Sequence, residues 1–175
     1  MLCLSRHSVS RLFRKIWIYS SFSCGHADLD GFLFEDSMEY QQERLSVTRL
    51  AYIDSEIAGF FTLVADCIDA KRVDPEDGKR GYPYRKYPAI KIARLATSSK
   101  YQNRGVGFLM LGEVLALTIT LSKYVGCRII TVDSKRESVG FYEKFGFKRA
   151  TSKLSDPVHL YMDYHKLLEE EHLAE

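Results

Sequence analysis

"KYQNRGVGFLMLGEV" (residues 100–114) sets two glycines, one residue apart, behind an arginine and then runs straight into apolar sequence. The segment before it, "AIKIARLAT" (residues 89–97), reads as a buried strand, and residues 106 to about 124 read as a mostly apolar helix covered by sheet. The glycines therefore fall in a strand-to-helix turn. A helix N-terminus presents unpaired backbone N–H groups and the positive end of its dipole, and a glycine turn there lets phosphates come close to the backbone. The turn reads as a pyrophosphate cradle. It lacks the G-K-[ST] ending of a nucleotide P-loop, and "RGVGFLML" lacks the third glycine of the dinucleotide fingerprint.

Working outward, Asp28 can cap a helix whose Leu29, Phe32, Leu33 and Tyr40 share one face and which ends near Arg44. "SVTRLAYI" and "IAGFFTLVAD" are β-rich runs separated by Asp54, Ser55 and Glu56, which predicts a hairpin. "KRVDPEDGKRGYPYRKYP" (residues 71–88) holds three of the four prolines and two glycines, so an exposed loop is expected there. Beyond the apolar helix, closed by Gly126, "CRIITVD" reads as a strand and residues 137–145 as a short helix ended by Gly146. "VHLYMDY" is the last strand before a polar tail. No repeat or second domain appears, so residues 1–175 are expected to form a single domain.

Composition bounds the chemistry. With 175 residues, 46% of them apolar, and 10 Phe with 11 Tyr, the chain has material for one sizeable core. The net charge of +2 argues for no particular partner, but its distribution is uneven. From Gly78 to Gly112 there is no acid, while Lys79, Arg80, Arg85, Lys86, Lys91, Arg94, Lys100 and Arg104 are all basic. That stretch fits an anionic partner or a solvated basic face. The four cysteines are widely spaced with no C-x-x-C pair, so neither a zinc site nor a disulfide framework is indicated, and a reducing cytoplasm fits. The first 27 residues are basic and acid-free, like a transit peptide, but show no cleavage site and read as an N-terminal strand and loop. No run reaches the roughly 18 apolar residues of a membrane span.

About thirty residues after the glycine turn stands "RESVGFYEKFGFKR". The two motifs in this order and separation resemble the GNAT superfamily of acyl-CoA-dependent N-acetyltransferases. Gln102, Gly105 and Gly107 fill that family's [QR]-x-x-G-x-[GA] pyrophosphate motif, and Phe141, Tyr142, Gly146 and Phe147 fill the helix motif that lies beside the thioester. Ser138 and Arg136 depart from the usual alanine and asparagine. The resemblance implies an α/β (α+β) GNAT fold: a mixed, mostly antiparallel twisted sheet flanked by helices, with splayed strands holding acetyl-CoA. It assigns Leu95, Ala96, Thr97, Gln102, Asn103, Arg104, Gly105, Val106, Gly107, Phe141 and Tyr142 to the coenzyme, and no metal.

A narrower resemblance lies upstream. Phe22, Cys24, Gly25, Leu29, Asp30, Phe32 and Leu33, together with Arg94, Leu95 and Ala96, occupy the F-x-C-G-x-x-x-L-D-x-F-L and R-L-A positions of the GNAT toxins of toxin–antitoxin pairs. Members of that kind acetylate the α-amine of aminoacyl-tRNA and stop translation, but the segment is shared with acetyltransferases that are not toxins. The resemblance implies charged tRNA and an antitoxin as partners, and it is compatible with a homodimer.

The chemistry follows from the reaction. An amine attacks a thioester carbonyl, an oxyanion develops, and a thiolate leaves and must be protonated. By family resemblance the backbone N–H of Leu95 or Ala96 serves the oxyanion, and the Tyr142 hydroxyl is the general acid. "AIKIARLAT" carries no carboxylate to act as base. A lysine amine, pKa about 10.4, is about 0.1% neutral near pH 7.4, whereas an α-amine of pKa about 7.8 is roughly 30% neutral, a difference of about 3.5 kcal/mol. This favours an α-amine acceptor on a small molecule or peptide, with an aminoacyl-tRNA as the alternative. "KRGYPYRKYP", through Lys79, Arg80, Arg85 and Lys86 interleaved with tyrosines, suits a phosphate backbone with stacked single-stranded bases, or a loop over a small-molecule site. A non-catalytic acyl-CoA-binding module is the third class, and an intact pyrophosphate turn beside Tyr142 argues against it.

Overall fold

The computed structural model describes residues 2–4, 22–150, 155–166 and 168. The N-terminal loop expected before residue 22 and most of the polar tail lie outside the described residues. Seven strands among the described residues hydrogen-bond in the order β1-β2-β3-β4-β5-β7-β6. The chain divides into two compact units, one of Met1–Val64 with Ala93–Glu113, the other of Ala65–Ile92 with Val114–Glu175.

In the first unit, β1 (Leu2–Leu4) pairs antiparallel with β2 (Val47–Ile53), and β2 with the first part of β3 (Glu56–Asp69). The hairpin expected from the sequence is present. Asp54 and Ser55 both take positive φ, 48° and 70°, as a two-residue turn matched to strand twist requires. The helical segment runs as α1 (Ala27–Gly31), a π-helical turn (Phe32–Asp36) and α2 (Ser37–Gln42). The Ser37 hydroxyl donates back to the Leu33 carbonyl at 2.7 Å, the kind of side-chain intrusion that accompanies a bend. His26, not Asp28, is the N-cap, and it caps only with its backbone carbonyl, which receives the N–H groups of Leu29 and Asp30. Phe22, Phe32, Leu33, Leu50, Ile57 and Phe60 form the core here, with Phe22 edge-on to Phe60 at 5.6 Å. Gly59 admits close packing: a Cβ there would lie 2.8 Å from both the Ala96 carbonyl and the Met110 methyl.

In the second unit, the first part of β4 (Lys86–Thr97) pairs parallel with β5 (Ile129–Ser134), from Ala89–Ile129 to Ile92–Val132. β5 then pairs antiparallel with β7 (Val158–Asp163), and the two-residue β6 (Lys148–Arg149) with β7. β6 has no signal in the sequence because two charged residues cannot show an alternating pattern. The helix after the glycine turn is α3 (Val106–Ser122), two residues shorter than read, and α4 (Val139–Lys144) follows a single 3₁₀ turn. β4 begins at Lys86, so the long loop is shorter than its prolines suggest and Lys86 stands on a strand.

Candidate active site

The glycine turn belongs to the first unit and is built by three anchors. After Leu95, Ala96 and Thr97 the backbone N–H of Ser98 donates to Ala58 at 2.9 Å, and that of Ser99 to the Ser23 carbonyl at 2.8 Å. The Gln102 amide donates to the Cys24 carbonyl at 3.0 Å and the Thr97 carbonyl at 3.2 Å, so this motif residue ties the turn to its strand and to the N-terminal segment. Lys100 and Tyr101 both donate to Glu56, at 2.5 and 2.6 Å. The chain then reverses through left-handed Asn103 (φ 59°) and Gly105 (φ 81°), and α3 starts as the Leu109 N–H reaches the Gly105 carbonyl at 3.1 Å.

Gln102, Asn103, Arg104 and Gly105 are exposed, while Val106 is buried and Gly107 half-buried. A Cβ built on Gly105 would meet nothing within 4 Å. The turn is thus open to solvent, anchored by these hydrogen bonds, and lies at a helix N-terminus, where an anion is favoured.

The F-x-C-G-x-x-x-L-D segment is the brace behind it. Asp30 accepts from the Cys24 N–H at 2.9 Å and the Ser23 hydroxyl at 2.8 Å, fixing the two carbonyls that receive Gln102 and Ser99. Burial, with the neighbouring Asp30 carboxylate, pushes the Cys24 thiol up to about 11, so it stays protonated and inert. The Arg94 guanidinium lies 3.6 Å from the Phe32 ring centroid, a stacking contact that connects the R-L-A and F-L motifs.

Tyr142 belongs to the second unit. It is 6% exposed, packed edge-on against Phe141 at 5.0 Å and Phe147 at 5.5 Å. Its carbonyl accepts from the Phe145 and Phe147 N–H groups, and Gly146 at φ 104° makes the turn that brings Phe147 back. Burial alone pushes the phenol well above its ordinary range, so it is held as a neutral O–H donor.

The basic loop also lies in the second unit, and it is firmly held. Asp77, whose side chain is 3% exposed, accepts from Lys148 at 2.8 Å and Tyr161 at 2.9 Å. Asp163 accepts two bonds from Arg128 at 3.0 and 2.9 Å and one from the Gly78 N–H at 2.6 Å. The Tyr87 hydroxyl receives the Lys79 N–H at 2.9 Å, and Tyr82 stacks on Tyr87 at 4.1 Å. Lys79, Arg80, Arg85 and Lys86 are all exposed, and Tyr84 is 69% exposed. Sequence reading missed the anchors, because Asp77 and Asp163 find their partners across 71 and 35 residues of chain.

The strand–glycine turn–helix order and the FY–GF helix are those of an acyl-CoA-dependent acyltransferase. The acetyltransferase (GNAT) domain family matches residues 46–149, and the chain belongs to that family. Its GNAT fold and its class of reaction, acyl transfer from acetyl-CoA, are those expected from the paired motifs. Over 158 residues the chain is 27% identical to a tRNA-acetylating toxin of Mycobacterium tuberculosis, covering 90% of this chain and 92% of that one. In fold it is similar to a mutant of KacT (TM-score 0.82, 20% identity, 96% of this chain and 98% of that one). It is likewise similar to AtaT complexed with acetyl-methionyl-tRNAfMet (TM-score 0.76, 16% identity, 96% of each chain). Among the described residues no helix is long and apolar enough to cross a membrane, and no cluster of metal-ligating side chains occurs.

Proposed function

We propose that this acetyltransferase acts on the α-amine of an aminoacyl group carried by tRNA. The observation that carries the reading is the anchored loop that holds Lys79, Arg80, Arg85 and Lys86 toward solvent beside exposed Tyr84. Exposed cations carried on an anchored backbone next to an exposed aromatic are what a phosphate backbone with an unstacked base requires. The similarity to a tRNA-acetylating toxin points the same way. An antitoxin and a reducing cytoplasm belong to this reading. The family match takes in residues of both units, so residues 1–175 are read as one catalytic domain.

Acetyl-CoA supplies an activated acetyl carbonyl. In this reading the turn from Gln102 to Gly107 and the Arg104 side chain hold its pyrophosphate, with Gln102 acting through the backbone it pins. Backbone N–H groups of Leu95 or Ala96 receive negative charge developing on the carbonyl oxygen. Thr97 and Phe141 line the coenzyme arm, and the Tyr142 O–H protonates the sulfur that leaves. Incubation with labelled acetyl-CoA and charged tRNA, followed by hydrolysis of the ester, should release an N-acetyl amino acid. Label found only on free amines or peptides would replace tRNA with a small acceptor.

A further inference from the structure

The second unit carries a cleft of about 190 Å³ on one face of its sheet, which the reading above leaves unused. Thr131 and Asp133 lie two residues apart on β5 and so share a face; Lys91 pairs with Thr131 on β4, and His159 with Asp133 on β7. Asp133 directly follows Val132, the last residue of the β4–β5 ladder.

Asp133 is fully engaged. One carboxylate oxygen accepts from the Lys91 ammonium, and the other meets His159 Nδ1 at 2.5 Å. Burial would raise its carboxyl, but the bonds from Lys91 and His159 prevail and hold it below the usual carboxylate range. An ionised carboxylate on Nδ1 selects the tautomer protonated there, which leaves the Nε2 lone pair as the acceptor. No hydrogen-bond partner takes Nε2 among the described residues. Thr131 is satisfied by Asp66 at 2.6 Å, and the remaining titratable or charged groups around the cleft are Cys67 and Asp69 of β3 and Arg72 of the turn after it.

We infer that His159 is the base that takes a proton from the acceptor amine, with Asp133 as its positioning residue and Lys91 fixing Asp133. This rests on the acetyltransferase reading but not on tRNA as the carrier. The acceptor arrives as an ammonium, and one N–H proton passes to His159 Nε2. The freed lone pair forms the bond from nitrogen to the acetyl carbon while the carbon–sulfur bond breaks. Sulfur takes the Tyr142 proton, and the second proton, lost as the amide forms, replaces it. An imidazole is the side chain suited to this near neutral pH.

The test combines kinetics with a probe that requires no acceptor. His159→Gln should lower kcat/KM at pH 7 by about 100-fold or more, the usual worth of general base catalysis, and leave acetyl-CoA affinity unchanged. The acid-side fall of the wild-type pH profile should be missing from that variant, and added imidazole should restore part of the activity of His159→Ala. By ¹⁵N NMR of the wild-type protein, the neutral form of the His159 ring should carry its proton on Nδ1. Wild-type kinetics in His159→Gln, a deficit with an unchanged pH profile and no imidazole rescue, or a neutral ring protonated on Nε2 would each overturn the assignment. Acetylation of a free α-amine but not of charged tRNA removes the RNA reading alone, and His159 is then judged on that amine. Should neither acceptor react, the acetyl-acceptor reading fails and the tautomer decides the state of His159.

Discussion

The Gln102 side-chain amide donates to the Cys24 carbonyl at 3.0 Å, joining the glycine turn to a segment 78 residues earlier. Together with the Ser99 N–H on the Ser23 carbonyl, it makes the F-x-C-G segment a structural part of the glycine turn.

Gln102→Leu removes both amide bonds and leaves the Cys24 carbonyl unmatched. One of these bonds is part-buried and the other exposed, so the loss costs about 0.5–1.5 kcal/mol, the net worth of a typical hydrogen bond. The variant should melt at a lower temperature and bind acetyl-CoA more weakly, as read by thermal unfolding and calorimetric titration. Unchanged affinity in a destabilised variant would show that the turn holds its shape without this tie.

Gly105 offers a way to separate backbone strain from charge. Its φ of 81° disfavours any side chain, by roughly 1–2 kcal/mol, yet the space at its Cβ is open. Gly105→Ala should therefore fold with modest loss of stability and keep measurable coenzyme affinity. Gly105→Glu should fold as well but abolish binding, because its carboxylate opposes the phosphates. Equal affinities for the two variants would remove the pyrophosphate assignment.

Tyr142→Phe deletes only a hydroxyl, and neither the ring packing on Phe141 and Phe147 nor the backbone bonds depend on it. Coenzyme affinity and fold should persist while turnover falls by about 10- to 1,000-fold, the range of general acid catalysis or just below it. Undiminished turnover would make Tyr142 a packing aromatic.

The legibility of this chain divides by distance along it. The glycine turn, the FY–GF helix and the hairpin are local signals, each complete within about twenty residues, so sequence reading places them to within about three residues. The extent of the basic loop was not legible, since prolines at 83 and 88 read as a continuous loop although β4 already starts at Lys86. Gln102 is a further case: its place in the motif suggests ligand contact, and its carbonyl partners become visible only in three dimensions. The Asp133–His159 pair joins residues 26 apart with no spacing rule to reveal it.

Asp77 makes the loop's order pH-dependent. Burial works against its ionised form, but bonds from Lys148 and Tyr161 and the charge of Lys166 outweigh that and depress its carboxyl in the folded state. A depressed folded pKa adds stability above the unfolded value of about 3.9, and that stability is lost as pH falls through the lower folded value. Asp77→Asn should thus lower the urea midpoint at neutral pH, by the equivalent of about 1–3 kcal/mol, and differ less from wild type near pH 3. A gap of equal size at both pH values would show that Asp77 acts by packing alone.

Acetyl transfer from labelled acetyl-CoA to charged tRNA, followed across a range of salt in the wild type and in Lys79→Ala/Arg80→Ala/Arg85→Ala/Lys86→Ala, tests the central claim most directly. Each phosphate contact releases counterions and steepens the salt dependence. The wild type should acetylate the aminoacyl group with activity falling as salt rises, and the quadruple variant should lose most of that activity and much of the slope while binding acetyl-CoA as before. Charged tRNA left unmodified by the wild type, or the same activity and slope in both proteins, would contradict the claim.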